Sequence, residues 1–218
     1  MTRPSRSPEK PGAEPTSAAE SPMERKILEA SVRLFSAYGL RKTSMEQVAH
    51  EANVAKATLY SYFANKEILF AGVCAHVASE LQAAAERAAA QEAAPAHAVR
   101  ASLCAKFTRL HRIVHASTHA AELLETSNRV SGQVLRDAHD AYVEHLTALL
   151  AGCMDARKPA RRELAETLDA AAEGIAARAA DERDVVRRLG SVVDAMLARP
   201  VAPDAASPAR PRGRPDVR

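Results

Sequence analysis

The chain has 218 residues, enough for a small head and a larger body with a buried core. Only eight residues are Gly while Ala, Leu, Glu and Arg abound, a balance that favours helix over sheet. There is no tryptophan and only 4% of residues are aromatic, so any ligand cavity has to be lined mainly by aliphatic, His, Thr and Met side chains. The formal net charge of +3 decides little, but its distribution is uneven. Between Met23 and Lys66 seven basic residues face four acidic ones, and between Arg199 and Arg218 five face two. Both ends are basic and the middle is near neutral, the electrostatic footprint of a nucleic-acid binder.

Cys74, Cys104 and Cys153 are odd in number and far apart, so they spell neither a disulfide framework nor a CxxC site, and a reducing cytoplasm suits them. The first residues carry no apolar core of a signal peptide, and no apolar run is expected to reach the roughly 18 residues that a bilayer requires. GxGxxG, P-loop, HExxH and GxSxG patterns are all missing, so no enzyme and no cofactor is expected.

Residues 1–21, rich in Pro, Ser, Ala and charge, read as a disordered tail. Ser21-Pro22 is an N-cap with Pro at the first helical position, and the helix it opens puts Ile27, Ala30, Leu34 and Phe35 on one stripe before ending near Gly39. Thr43 and Glu46 have capping-box spacing, which predicts a short second helix with Met45, Val48 and Ala49 inward. Asn53 then supplies the left-handed residue of a tight turn. A third helix runs from about Lys56 to Phe63, and Asn65 caps a long fourth one from Lys66 to about Ala90. Pro95 opens a helix to about His115. A break near Ser117-Thr118 precedes a short helix to about Thr126 and a further one from about Val130 to Ala151. Pro159 starts a helix striped by Leu164, Leu168, Ala171, Ile175 and Ala179. Asp181 caps the last helix, which carries Val185, Val186, Leu189, Val192, Val193, Met196 and Leu197 until Pro200 stops it. The result is an all-α protein of about nine helices. It divides into a tail (1–21), a three-helix helix-turn-helix head (22–66), a helical sensing and dimerisation body (67–199) and a basic tail (200–218).

The segment TSMEQVAHEANVAKATLYSYFANKEILF (43–70) closely resembles the DNA-binding head of the TetR/AcrR family, through Val48-Ala49, Thr58-Leu59-Tyr60, Tyr62-Phe63 and Asn65-Lys66-Glu67. Asn53 stands where that family usually has Gly. A short helix, a tight turn and a second short helix let one helix cross the DNA backbone while the other enters the major groove. Val48, Ala49, Val54, Leu59 and Phe63 are expected to pack this head, leaving Lys56, Ala57, Thr58, Tyr60, Ser61 and Tyr62 outward. The resemblance implies phosphate contacts from Thr43, Thr58, Tyr60 and Lys66. Lys56, Ala57, Ser61 and Tyr62 are better placed for base edges. It further implies a ligand-responsive regulator, most naturally a repressor, that binds a palindromic operator as a homodimer and is released by a small-molecule inducer. A DNA-architectural protein without a ligand is the rival.

The last two long helices resemble the family's dimerisation pair. Leu168, Ile175, Val185, Leu189, Val193 and Leu197 are the expected seam, because the apolar arc of the last helix is wide for one buried face, and Gly174 and Gly190 admit close approach. In the segment that the family uses as its sensor, Cys104, Thr108, His111 and His115 fall on one helix face, with His119 and Glu122 close by. They read as a polar wall for an organic ligand, as partly exposed side chains, or as ligands of a soft metal in a metal-responsive repressor. Arg212-Gly213-Arg214-Pro215 resembles an AT-hook core, in which Gly lets an extended backbone sit in a narrow minor groove between arginines.

Overall fold

The computed structural model describes residues 20–115, 117–119, 123, 126–127, 129–154 and 157–197. These residues form eight helices and no strand: α1 (Pro22–Tyr38), α2 (Met45–Glu51), α3 (Lys56–Tyr62), α4 (Lys66–Ala90), α5 (Pro95–His115), α6 (Gly132–Leu150), α7 (Lys158–Arg178) and α8 (Glu182–Leu197). Residues 123, 126–127 and 129–130 are also helical. The remainder of the short helix expected before Thr126 lies outside the described residues, as do Glu122, most of the first tail and the whole basic tail with Arg212–Pro215.

Local chemistry sets the boundaries. Ser21 Oγ accepts the backbone N–H of Glu24 at 3.1 Å with Pro22 behind it, and the Gly39 N–H returns to the Phe35 carbonyl at φ 82°, a conformation that favours glycine. Asn53 holds φ 49°, as its place in the turn demands. Asn65 Oδ1 accepts from the Ile68 N–H at 2.9 Å, and Asp181 Oδ1 from that of Asp184 at 2.8 Å. The capping box of α2, in contrast, lies one residue later than its spacing suggested. Ser44 Oγ accepts from Gln47 N while Ser44 N donates to Gln47 Oε1, at 3.2 and 2.7 Å. The stretch Thr43-Ser44-Met45-Glu46-Gln47 offers two registers. Thr43 leaves the contest because its hydroxyl is buried and donates to the Gly39 carbonyl at 2.9 Å. Glu46 is thereby freed to pair with Lys56, joining α2 to α3.

Two apolar cores result. The head core gathers Ile27, Leu28, Phe35, Val48, Leu59, Phe63, Leu69 and Phe70, with Phe35 and Phe70 edge to face at 5.8 Å. Gly72 leaves room on α4 for the Phe63 ring and Leu28, which a Cβ there would approach to 2.9 and 3.2 Å. The body core gathers Val99, Leu103, Phe107, Tyr142, Leu146, Leu150, Leu168, Val185, Leu189 and Val193 from α5 to α8. By length and composition α4 could cross a membrane, but here it packs against α1, α5 and α6.

The body corrects the expected dimer seam. Leu168, Val185, Leu189 and Val193 are at most 2% exposed within the single chain, so they belong to its own core. The wide arc of α8 is explained by its packing on both α5 and α7. Gly190 admits a side chain of the same chain: a Cβ there would come within 2.5 Å of the Arg100 guanidinium. Ile175 and Leu197 remain half-buried, while Val186 and Met196 stay exposed. Val193→Asp should therefore unfold the subunit, at a cost of roughly 3–5 kcal/mol for a buried unpaired charge. Loss of helical circular dichroism would show it; a folded monomer would contradict it.

Candidate nucleic-acid interface and ligand cavity

α3 turns Leu59 fully inward, and this phase fixes what its other faces show. Lys56, Ala57, Tyr60, Ser61 and Tyr62 are exposed and Thr58 is half-buried. Two tyrosines about 40% exposed on a seven-residue helix are a costly way to dress a surface that only meets water. Lys56 pairs with Glu46 and lies 5.8 Å from the centre of the Tyr60 ring. That hydrogen-bonded pairing holds the Glu46 carboxyl below its ordinary pKa and Lys56 above its own. Arg41 and Lys42 stand exposed in the turn before α2. The helix is short enough to enter a major groove, with hydroxyls, a ring face and an ammonium available to base edges and phosphates.

Two of the residues singled out for phosphate contact do not present their side chains that way. The Thr43 hydroxyl is consumed inside the turn, as described above. Lys66 donates to the carbonyls of Leu40, Arg41 and Thr43 at 3.0, 3.4 and 3.1 Å, so its ammonium holds the α1–α2 turn against the start of α4. Chain carbonyls after a helix end need donors, and a three-donor ammonium satisfies three at once.

A cavity of about 400 Å³ opens between α1, α4, α5, α6 and α7. Its wall is largely apolar: Val32 and Phe35 from α1, Phe70, Val73, Val77 and Leu81 from α4, Leu110, Ile113 and Val114 from α5, Leu135 and Tyr142 from α6. Ser36, Ser117 and Ser127 offer hydroxyls, and Gln82, Lys106, His139 and Glu173 offer stronger polar groups. Lys106 Nζ donates to the buried Asp169 at 3.0 Å and sits 3.5 Å from the centre of the Tyr142 ring. His139 Nδ1 lies 3.0 Å from the other Asp169 oxygen. Burial pulls the Lys106 pKa down, and the charges of Asp169 and Glu173 oppose that pull. Burial also pushes the Tyr142 hydroxyl well above its ordinary pKa, and the Cys74 thiol above its own.

Cys104, Thr108, His111 and His115 do not line this cavity. They share the opposite face of α5, away from Lys106, Leu110, Ile113 and Val114. His111 is buried with Nδ1 2.9 Å from the Ala176 carbonyl, and His115 stacks on it at 3.9 Å with its own Nδ1 3.0 Å from the His111 carbonyl. Both are thus satisfied by backbone acceptors, while the Thr108 hydroxyl is buried without a partner and burial raises the Cys104 thiol pKa. Among the described residues no three His, Cys, Asp or Glu side chains come together as metal ligands would. The cavity residues that sequence reasoning passed over, Lys106, His139, Tyr142 and Glu173, and Asp169 buried behind them, had one visible signal. Asp169 sits beside Leu168 in a stripe otherwise made of Ala165, Ala172 and Ala176, where only a buried partner makes a carboxylate tolerable.

Residues 27–73 match the family model described as bacterial regulatory proteins, tetR family. The uncharacterised HTH-type transcriptional regulator YhgD of Bacillus subtilis (strain 168) is 40% identical over 62 residues, 28% of this chain and 32% of that one. An uncharacterised HTH-type regulator of Haemophilus influenzae is 38% identical over 69 residues, 32% of this chain and 37% of its own. The chain thus matches about a third of the length of these relatives. Among solved structures, a TetR-family regulator from Rhodococcus sp. shares the fold at a TM-score of 0.64 and 18% identity, over 79% of this chain and 97% of its own. FadR of Bacillus subtilis, solved in complex with stearoyl-CoA, shares it at 0.55 and 15% identity, over 80% and 97%.

Lys66→Met should lower stability by about 1–3 kcal/mol through three orphaned carbonyls, with the loss visible in the thermal midpoint. Lys106→Met alone should cost about 3–5 kcal/mol by stranding Asp169, and Lys106→Met with Asp169→Leu should recover most of that. Urea unfolding at fixed protomer concentration reads both effects.

Proposed function

We propose that this chain, whose residues 27–73 match the tetR family model, is a ligand-responsive repressor of that family, bound to a palindromic operator as a homodimer and released by a small molecule. The observation that carries this reading is the continuity of α4. The helix contributes Leu69 and Phe70 to the head core, then Val77 and Leu81 to the cavity wall, so a guest in the cavity bears on the element that sets the head's position. α3 is the reading helix, with Tyr62, Ser61, Ala57 and Lys56 toward base edges and Tyr60 and Thr58 toward phosphates. One short helix reads too few base pairs for a single-copy operator, so two heads are needed. The apolar side chains left uncovered on α7 and α8, among them Ile175, Val186 and Met196, are the surface for the second copy. With chromosomal DNA as partner, the place of work is the bacterial cytoplasm. Inducer acts by binding the DNA-incompetent arrangement more tightly, and reciprocity requires operator DNA to weaken inducer binding by the same factor.

The test is binding to the promoter next to the chain's own gene against random DNA at matched salt. A specific repressor should prefer a palindrome there by about a thousandfold or more, whereas an architectural protein should show no such preference. Tyr62→Ala should cost roughly 1–3 kcal/mol at one base position, and Tyr60→Ala should weaken all sequences alike. Val186→Glu with Met196→Glu should yield folded monomers by light scattering; a wild-type chain that is already monomeric at micromolar concentration would sink the dimer.

A further inference from the structure

We infer that the cavity is built for an amphiphile with an apolar body and a cationic amine head, the amine being received by Glu173 where Lys106, Asp169 and His139 converge. This rests on the reading of the cavity as the inducer site and adds the chemistry of the guest.

The polar groups of the wall are segregated. Toward the head the polar lining consists of the hydroxyls of Ser36, Ser117 and Ser127 among apolar side chains. The ionisable groups gather at the body end, on α5, α6 and α7. Lys106 is the cation there, and it is already engaged: Asp169 holds it at 3.0 Å, and the Tyr142 and Phe107 rings lie 3.5 and 4.8 Å from it. Asp169 in turn is held by Lys106 on one oxygen, while its other oxygen, buried without a hydrogen bond, lies 3.0 Å from His139 Nδ1. Glu173 follows Asp169 by one turn of α7, lines the cavity, is exposed, and acts on Lys106 only through space. Two carboxylates, Asp169 and Glu173, therefore face the one ammonium of Lys106.

That balance discriminates between guests. A carboxylate head would approach two carboxylates and would have to take Lys106 from Asp169, exposing a buried charge. A neutral hydroxyl would gain a hydrogen bond but no charge attraction. An ammonium head would meet the exposed Glu173 carboxylate directly at the cavity rim, in an attraction that salt screens. The body of the guest has a long path: the wall runs along α4 from Phe70 to Gln82, about 18 Å at the helical rise.

The experiment compares dodecylamine, dodecan-1-ol and dodecanoate below their micellar concentrations, by calorimetry and by release of operator DNA, with the full chain. The amine should bind about fivefold tighter than the alcohol, with the acid weakest and the margin shrinking as salt rises. Glu173→Gln, on an exposed position that the fold does not need, should bring amine and alcohol together, and Glu173→Lys should move the preference toward dodecanoate. Acid or alcohol binding as tightly as amine overturns the head-group assignment, and so does an amine preference that survives Glu173→Gln. Ala78→Phe, checked for folding by circular dichroism, should block all three probes. Binding that Ala78→Phe leaves untouched, or no binding by any probe, overturns the cavity as inducer site and the head-group assignment with it.

Discussion

α4 is the constraint on which the rest depends. It is a single 25-residue helix with two unlike halves: Leu69, Phe70, Val73 and Cys74 complete the head core, while Ala85 closes on the body core. A helix without a break transmits displacement instead of absorbing it. Its start is fixed by the Asn65 cap and by the Lys66 ammonium, which binds the α1–α2 turn. The head is thereby clamped to one end of a rod whose middle forms the cavity wall.

This arrangement explains why the cavity is tolerable. Small Ala78, with Val73 and Val77, leaves space along α4 that larger side chains would fill, and a void of about 400 Å³ forfeits packing that the fold could otherwise have had. The Lys106–Asp169 pair beside it is similarly poor value as stability, since a hydrophobic pair of the same shape is often at least as good. Its defensible use is to fix the electrostatics of the mouth while joining α5 to α7.

Much of this was legible beforehand where a single residue dictates a local conformation. Ser21-Pro22, Gly39, Asn53, Asn65 and Asp181 each fix a helix end by short-range hydrogen bonding or by φ preference, and the structure places them as those rules require. Where two residues compete for one role, short-range rules leave the choice open, and burial decided it: Thr43 is drawn inside, so Ser44 becomes the cap. Side-chain destinations that depend on tertiary packing were not legible. An apolar arc on α8 looks the same whether α5 covers it or a second subunit does. A polar stripe at Cys104, Thr108, His111 and His115 looks the same whether it meets a ligand or the carbonyl of Ala176.

Those two misreadings have one cause and point to where the signal lies. Helical periodicity tells which residues share a face but not which face looks at what. α5 carries two opposed faces with polar content, and only the face of Cys104, Thr108, His111 and His115 reads as a candidate wall. The residue that separates them is Lys106, because a long cation among Leu103, Phe107 and Leu110 must have a buried anion to answer it. Asp169 in the alanine stripe of α7 is the one carboxylate in that helix that is fully buried. Matching the stranded cation with the stranded anion pairs α5 with α7 and orients both. The Lys106 side then faces the cavity, and the histidine face turns to the backbone of α7. A buried charge pair is thus a stronger constraint on helix orientation than any stripe of polar side chains, since a misplaced hydroxyl costs little and a misplaced charge would cost the fold.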